Sequence, residues 1–299
     1  MYFWQMKQVQ INYWWQAMRP KTLAASIMPV ILACALTIHA GKFQAIPAAI
    51  CLVFAILVQI VSNFLNDYYD FIKGSDRSDR LGPERAVAKG WISPSKMLRA
   101  SILLILVACI LGSALIYYAG WQMIFVGIAV CLGAFAYSSG PYPLAYHGLG
   151  DICVVVFYGI VPVGFTYYVQ SLDWTIATTI AGVSIGIVAT NILVANNFRD
   201  RKEDKISNKN TSIVLLGEQF GIWFYLSNGI IAVLLTTFFY CLQMPLAAIL
   251  PPLYLIAHIR TWKKMRKIYQ GKDLNSILEE SAKNTIFFGL LLSIGILLS

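Results

Sequence analysis

The sequence predicts an all-α protein, a polytopic bundle of about nine membrane-crossing helices, and three observations carry that reading. The first is composition: of 299 residues, 58% are apolar and only 12% are charged, with a mean hydropathy of +0.66. Soluble domains carry about a quarter charged residues, so this chain has too little polar surface to coat a globule in water. The second is segregation: no Asp, Glu, Lys or Arg occurs in 22–41, 43–66, 100–150, 152–172, 174–198, 219–259 or 284–299. The third is length. A spanning helix needs about 20 apolar residues, so the runs 100–150 and 219–259 each hold two spans and the others one. Disorder, a fibrous protein and an ordinary cytosolic enzyme are excluded. The net charge of +9 would suggest nucleic acid only if the bases formed a solvated patch.

In chain order, the first span is expected at 22–40 and the second at 45–69. The third and fourth, 98–118 and 121–138, are separated by Tyr118-Ala119-Gly120-Trp121. The fifth, 150–170, opens on Gly150-Asp151, where an acid complements the helix dipole. The sixth is expected at 174–199, the seventh at 220–241 and the eighth at 246–262, the last two parted by Gln243-Met244-Pro245. The ninth covers 283–298. Interior prolines such as Pro29, Pro162, Pro251 and Pro252 are tolerated where neighbouring helices satisfy the freed backbone groups. Residues 22–299 read as one transmembrane domain. Residues 1–21 read as an interfacial segment, because Tyr2, Phe3, Trp4, Tyr13, Trp14 and Trp15 suit the headgroup level and no signal-peptide core is present.

Basic residues set the orientation. The N-terminal segment (Lys7, Arg19, Lys21), the loop after the second span (Lys73 to Arg99), the loop after the sixth (Arg199 to Lys209) and the region 260–283 hold 22 of the 23 bases. Nine spans put all four regions on one side and leave Lys42 alone opposite. The N-terminus and these loops are then cytoplasmic, in a multi-pass protein of the cell membrane. The cluster Lys263–Lys267 suits anionic lipid. Six cysteines, all in apolar runs without metal-ligand spacing, read as buried free thiols.

Most acids fall in two clusters, each at the cytoplasmic end of an apolar run. The first reads Asn66-Asp67-Tyr68-Tyr69-Asp70, with Lys73, Asp76, Arg77, Asp79 and Arg85 following. The second reads Asn196-Asn197-Phe198-Arg199-Asp200, with Glu203, Asp204, Lys205 and Lys209 following. Superposing Asn66 on Asn196 aligns Asp70 with Asp200, a short internal repeat. Asp67 and Asp70 are three apart and Asp200 and Asp204 four apart, so each pair shares a helix face. Like charges so placed call for a cation between them. Carboxylates beside amide oxygens suit a hard divalent ion, and Mg²⁺ commonly takes one or two carboxylates plus phosphate oxygens. The interleaved bases would take the remaining phosphate charge. A diphosphate site at a membrane mouth implies a substrate with a polar head and an apolar tail. Ionisation of an allylic diphosphate profits from a cavity that excludes water.

These motifs resemble the UbiA superfamily of intramembrane prenyltransferases. In detail, Gly74 stands where the general pattern has its last acid and Asp76 follows, with Gly82-Pro83-Glu84-Arg85 beyond. That spacing is similar to the branch that prenylates 1,4-dihydroxy-2-naphthoate in menaquinone synthesis. Trp15 to Thr22, Tyr137 to Gly150, and Gly164 with Thr166-Tyr167-Tyr168 agree with it, and no Lys or Arg occupies the loop after Tyr137. The resemblance implies that Asn66, Asp67, Asp70, Asp76, Asn196, Asp200 and Asp204 hold two Mg²⁺ ions and the diphosphate. It places Lys73, Arg85, Arg199 and Lys209 on the diphosphate, and Arg19 and Tyr137 near the acceptor. Asp67, Asp70, Asp200, Asp204 and Tyr137 are the expected catalytic set. Polyprenyl diphosphate, 1,4-dihydroxy-2-naphthoate and membrane lipid are the expected partners, and nucleic acid is not. Two alternatives remain: a relative with another aromatic or tetrapyrrole acceptor, and a membrane transporter. The latter expects acids near the bilayer midplane, whereas here they crowd one mouth.

Overall fold

The computed structural model describes residues 11–74 and 81–299. Asp76, Arg77, Asp79 and the aromatic residues Tyr2, Phe3 and Trp4 lie outside the described residues. Each of the nine apolar stretches is helical among those described: α1 (Ala24–His39), α2 (Ala45–Ile72), α3 (Pro94–Ala119), α4 (Met123–Ser138), α5 (Gly150–Ser171), α6 (Ile176–Ile206), α7 (Glu218–Tyr240), α8 (Tyr254–Ile268) and α9 (Asn275–Leu298). No strand is found among the described residues, only an isolated bridge between His147 and Asn210.

Six helices are by themselves long and apolar enough to cross a membrane, namely α2, α3, α5, α6, α7 and α9. A seventh span arises if α1 is joined to the segment 11–22, which meets it at a bend of 51°. α4 has only 16 residues. The expected eighth span is broken into a helical turn Pro245–Ile249, a 3₁₀ turn Pro251–Leu253 and then α8, because tandem prolines remove two consecutive backbone donors. α6 continues to Ile206 rather than stopping at 199. Its Arg, Lys and Glu residues are good helix formers once out of the apolar zone, so the whole second motif rides on a rigid helix.

Helices α1 to α6 wall a cavity, and α7, α8 and α9 pack behind α6 and α1. The main core lies where α1, α5, α6, α7, α8 and α9 meet, around Met28, Leu32, Val163, Ile185, Phe239, Tyr254, Phe288 and Leu292. Between lipid-like surfaces, helices associate through close backbone approach at small residues. The α5–α6 crossing does so: a Cβ on Gly159 would lie 2.3 Å from Gly182 O and 2.7 Å from Gly186 Cα. Gly159 sits in a π-helical turn, Val156–Ile160, just before Pro162. That wide turn accommodates the donor that proline lacks and re-aims Phe157 and Tyr158, both of which line the cavity.

The four basic regions converge at one end of the bundle. Lys21 pairs with Glu279, Lys73 Nζ donates to Ser138 O at 2.8 Å, Asn210 N donates to Tyr146 O at 3.1 Å, and Asn275 Nδ2 donates to Leu81 O at 3.0 Å. The other end holds Lys42, 3.8 Å from Asp173, and Gln44, whose Nε2 donates to Gln170 O at 2.8 Å. Segment 11–22 packs onto the bundle rather than standing off it. Tyr13 stacks on Trp91 at 4.7 Å, Trp14 meets Phe64 at 5.4 Å, and Ala17 is buried. The six cysteines are free, but only Cys51 is buried; Cys109 and Cys241 are exposed, Cys109 lining the cavity, since an apolar run in a bilayer needs no buried face.

Gly159→Val should force the α5–α6 crossing apart, at a cost of about 1–3 kcal/mol for overpacking. Gly127→Ala, where an added Cβ meets nothing within 4 Å, should leave stability unchanged. Thermal unfolding in detergent, followed by helical circular dichroism, checks both.

Candidate active site

The cavity has a volume of about 540 Å³ and runs from a polar mouth into an apolar interior. Its polar wall includes Arg19, Asn66, Asp70, Arg85, Asn196 and Lys209, and Tyr137 lines it further along. Phe54, Val58, Ile116, Val126, Phe157 and Phe165 are among its apolar lining. Of the other expected residues, Asp67, Lys73, Arg199, Asp200 and Asp204 stand beside this lining and shape it, and Asp76 lies outside the described residues.

Each motif is held by a set of buried charge contacts. On α2, Asp70 Oδ1 accepts a hydrogen bond from Tyr146 Oη at 3.0 Å, and Oδ2 lies 3.5 Å from Arg85 Nη2. Asp67, only 1% exposed, accepts from Ala86 N at 3.1 Å through Oδ2. Asp67 thus pins the chain beside Arg85, and Arg85 in turn meets Asp70. The i, i+3 spacing brings both acids to one loop, where the sequence pattern had suggested one shared cation. On α6, Arg199 is 1% exposed and grips Asp200 twice, Nε to Oδ1 at 2.6 Å and Nη2 to Oδ2 at 2.5 Å. The same guanidinium donates to Asn196 Oδ1 and Asn275 Oδ1, both at 2.8 Å. Asp204 lies 3.8 Å from Lys209 Nζ. A buried charge is tolerated only when paired and hydrogen-bonded, and these contacts meet that condition.

The two motifs are joined through the loop between α4 and α5. The ammonium of Lys73 lies 4.3 Å over the Tyr146 ring, and that of Lys209 lies 5.4 Å from it. Two cations beside one aromatic face, next to an acid that the same tyrosine holds, make an anion-attracting mouth. Burial, ahead of the opposing pull of Asp70, pushes the Lys73 amine below its ordinary value, and Lys209 pushes in the same direction.

Arg19 occupies a left-handed conformation, with φ of 51° and ψ of 66°, directly before Pro20. Non-glycine residues rarely adopt this region. Here it makes the corner between segment 11–22 and α1, and the Arg19 carbonyl accepts from Thr22 N and Thr22 Oγ1, each at 2.9 Å. A polar lattice on α2 holds that corner. Asn63 Nδ2 donates to Met18 O at 2.9 Å, and Ser26 Oγ donates to Gln59 Oε1 at 3.1 Å. Gln59, Asn63, Tyr146 and Asn275 therefore belong to the site, although the motifs did not include them. Gln59 and Asn63 carried a legible signal, being polar residues one turn apart that lead along an apolar helix to Asn66.

Comparison with known proteins decides the family. Residues 26–291 match the model of the UbiA prenyltransferase family. The chain belongs to the UbiA prenyltransferase family. Among curated UbiA relatives, the 1,4-dihydroxy-2-naphthoate octaprenyltransferase of Escherichia coli (strain K12) is 34% identical, covering 96% of this chain and 95% of that one. The protein of the same name from Haemophilus influenzae is 32% identical, with 97% of each chain covered. A UbiA homolog from Archaeoglobus fulgidus, solved bound to GPP and Mg²⁺, superposes with a TM-score of 0.67 at 14% identity, covering 96% of this chain and all of that one. This likeness establishes the UbiA fold.

The carboxylates and amide oxygens at the mouth are hard oxygen donors, a chemistry that fits a divalent ion. The described residues contain no group of three or more His, Cys, Asp or Glu close enough to cage a metal. An ion here would take one or two carboxylates, with the amide oxygens of Asn66 and Asn196, and complete its shell with phosphate oxygens and water. That is how Mg²⁺ is commonly bound.

Removing Arg199 should leave Asp200 buried without its guanidinium. Arg199→Met is expected to cost about 3–5 kcal/mol, whereas Lys202→Met, at an exposed site, should cost nothing measurable. Thermal stability of the purified variants in detergent measures the difference.

Proposed function

We propose that this UbiA-family enzyme transfers a polyprenyl group from polyprenyl diphosphate to 1,4-dihydroxy-2-naphthoate. The carboxyl group is lost as CO₂, and the product is the demethylmenaquinone of menaquinone biosynthesis. The observation that carries the reading is the cavity itself. One continuous space joins an anion-attracting mouth at Asp70, Arg85 and Lys209 to an apolar interior, which matches a diphosphate head on an isoprenoid tail. The full-length similarity to two naphthoate octaprenyltransferases supports the choice of acceptor.

In this reading Asn66, Asp67, Asp70, Asp76, Asn196, Asp200 and Asp204 would hold two Mg²⁺ ions, whose positive charge would offset that of the diphosphate leaving group. Lys73, Arg85, Arg199 and Lys209 bind and orient that group, directly or by fixing the carboxylates. Arg19 receives the acceptor's carboxylate, and Tyr137 forms part of the acceptor wall. The apolar lining keeps water from an allylic cation. Nine crossings, with the N-terminus and the mouth in the cytoplasm, keep 22 of the 23 bases on one side. We place the chain in the cytoplasmic membrane, with 1–21 at the interface and 22–299 as one domain. The outward-facing bases of α8 contact anionic lipid.

Membranes containing the protein, given labelled polyprenyl diphosphate and 1,4-dihydroxy-2-naphthoate, should form a lipophilic quinol with Mg²⁺ and none with EDTA. Asp70→Asn should lower turnover at least about a hundredfold, on the scale of losing one electrostatic contact to the reacting charge. Full activity in EDTA, or movement of substrate without chemistry, would sink the proposal. The lowered Lys73 amine adds a pH dependence. Its charge is lost as pH rises through a value below the ordinary lysine figure of about 10.4, so KM for the diphosphate should climb early on the alkaline side. Lys73→Arg, whose charge persists, should remove that limb, as initial rates across pH would show.

A further inference from the structure

Asp151 stands at the first turn of α5, where its sequence position suggests nothing beyond a favourable helix dipole. The structure gives it a different setting. It is 8% exposed, lines the same cavity as Asp70 and Lys209, and among the described residues its Oδ1 makes no well-aligned hydrogen bond. Ser212 faces the carboxylate, and its Oγ is likewise buried without a well-aligned hydrogen bond. A buried carboxylate oxygen left in this way is costly for the fold. Such a group is retained when a ligand completes it, and the ligand must be a donor, since a carboxylate only accepts.

Three further contacts define what that donor is. A Cβ on Gly150 would lie 3.7 Å from Tyr137 Oη, so the tyrosine expected at the acceptor is beside Asp151. Tyr137, Tyr158 and Arg19 line the same cavity and lie within electrostatic reach of one another in that order. Asp151 is therefore on the aromatic side of the cavity, with the residues assigned to the acceptor. The diphosphate would be repelled by a carboxylate, and the isoprenoid tail has no donor. An aromatic hydroxyl is the one substrate group that satisfies Asp151.

We propose that Asp151 is a catalytic residue that binds the acceptor's ring hydroxyl and takes its proton as the new bond forms. The proposal rests on the prenyl-transfer reading above. The O–H pair moves into the ring as a carbonyl develops, and the adjacent ring carbon, which carries the carboxylate, bonds to the allylic carbon. The allylic C–O bond breaks, and its electron pair leaves on the diphosphate. The ring is now a β-keto acid. Its carboxyl C–C bond breaks, CO₂ departs, and the bonding pair returns the carbonyl to a ring oxyanion. Asp151 gives its proton back to that oxygen, so one carboxylate serves both halves of the reaction and ends as it began. Proton transfer by a positioned side chain typically contributes about 10²–10⁴-fold.

The test is Asp151→Asn, which keeps shape and an accepting oxygen but cannot take a proton. We expect kcat to fall about a hundredfold or more, with thermal stability and affinity for polyprenyl diphosphate in Mg²⁺ unchanged from wild type. Asp151→Glu, which restores a base, should recover activity to within about tenfold of wild type. Asp151→Asn turning over within threefold of wild type would overturn the proposal, and so would an equal loss of activity and of diphosphate affinity. If the amide variant fails to accumulate in the membrane, Asp151→Glu decides alone: a folded protein with less than a hundredth of wild-type kcat overturns it. Wild-type protein that makes no quinol from naphthoate would instead defeat the functional reading itself, which separates the two failures.

Discussion

The arrangement at the cavity mouth depends on one constraint: charges taken out of water must be compensated by partners from elsewhere in the chain. Asp67, Asp70, Arg85, Arg199, Asp200, Arg201 and Asp204 are all buried. Several of them are met by groups from outside their own helix. Asp67 reaches the Ala86 backbone, Asp70 reaches Tyr146 and Arg85, Arg199 reaches Asn275, and Arg201 reaches Glu218 and the Tyr269 carbonyl. The cost of leaving any of these groups unpaired favours drawing the loops at this end of the bundle into a single cap. The site is thus also the place where the two parts of the bundle are tied together.

The membrane-embedded part follows a different logic. Apolar side chains gain little by leaving lipid for one another, so close packing takes over. The crossing of Gly159 with Gly182 and Gly186 brings α5 and α6 together, and the π turn before Pro162 redirects the side chains that line the cavity. A helix irregularity that would be a fault in a simple span is here what turns aromatic residues toward the substrate space.

In the proposed reading, charge placement lets one cavity serve two chemically distinct substrates. Cations and amides gather at the mouth near Tyr146, and the aromatic side carries Arg19, Tyr158, Tyr137 and Asp151. On the proposed assignments, an anionic head and a hydroxylated ring would be sorted by sign and by hydrogen-bonding role before any shape is considered. The left-handed backbone at Arg19, stabilised by Thr22 and the Gln59–Asn63 lattice, is the strained element that this sorting uses.

Much of this was legible in the chain. Uncharged runs separated by basic blocks determined a helical membrane protein, because a bilayer accepts little else at those lengths. The repeat of Asn66 to Asp70 in Asn196 to Asp200 marked the two charged helix ends that the structure brings to one cavity mouth. Local spacing could not reveal contacts made across the fold. It showed two acids on one face of α2 but not that Asp67 would turn to Ala86 and Asp70 to Tyr146. It gave Asp151 a dipole role, because the burial that leaves its oxygen without a well-aligned hydrogen bond is made by α4, α6 and the loop at Ser212. Sequence periodicity records the face a residue occupies, while compensation of a buried charge depends on what arrives opposite it, and only the tertiary structure decided that.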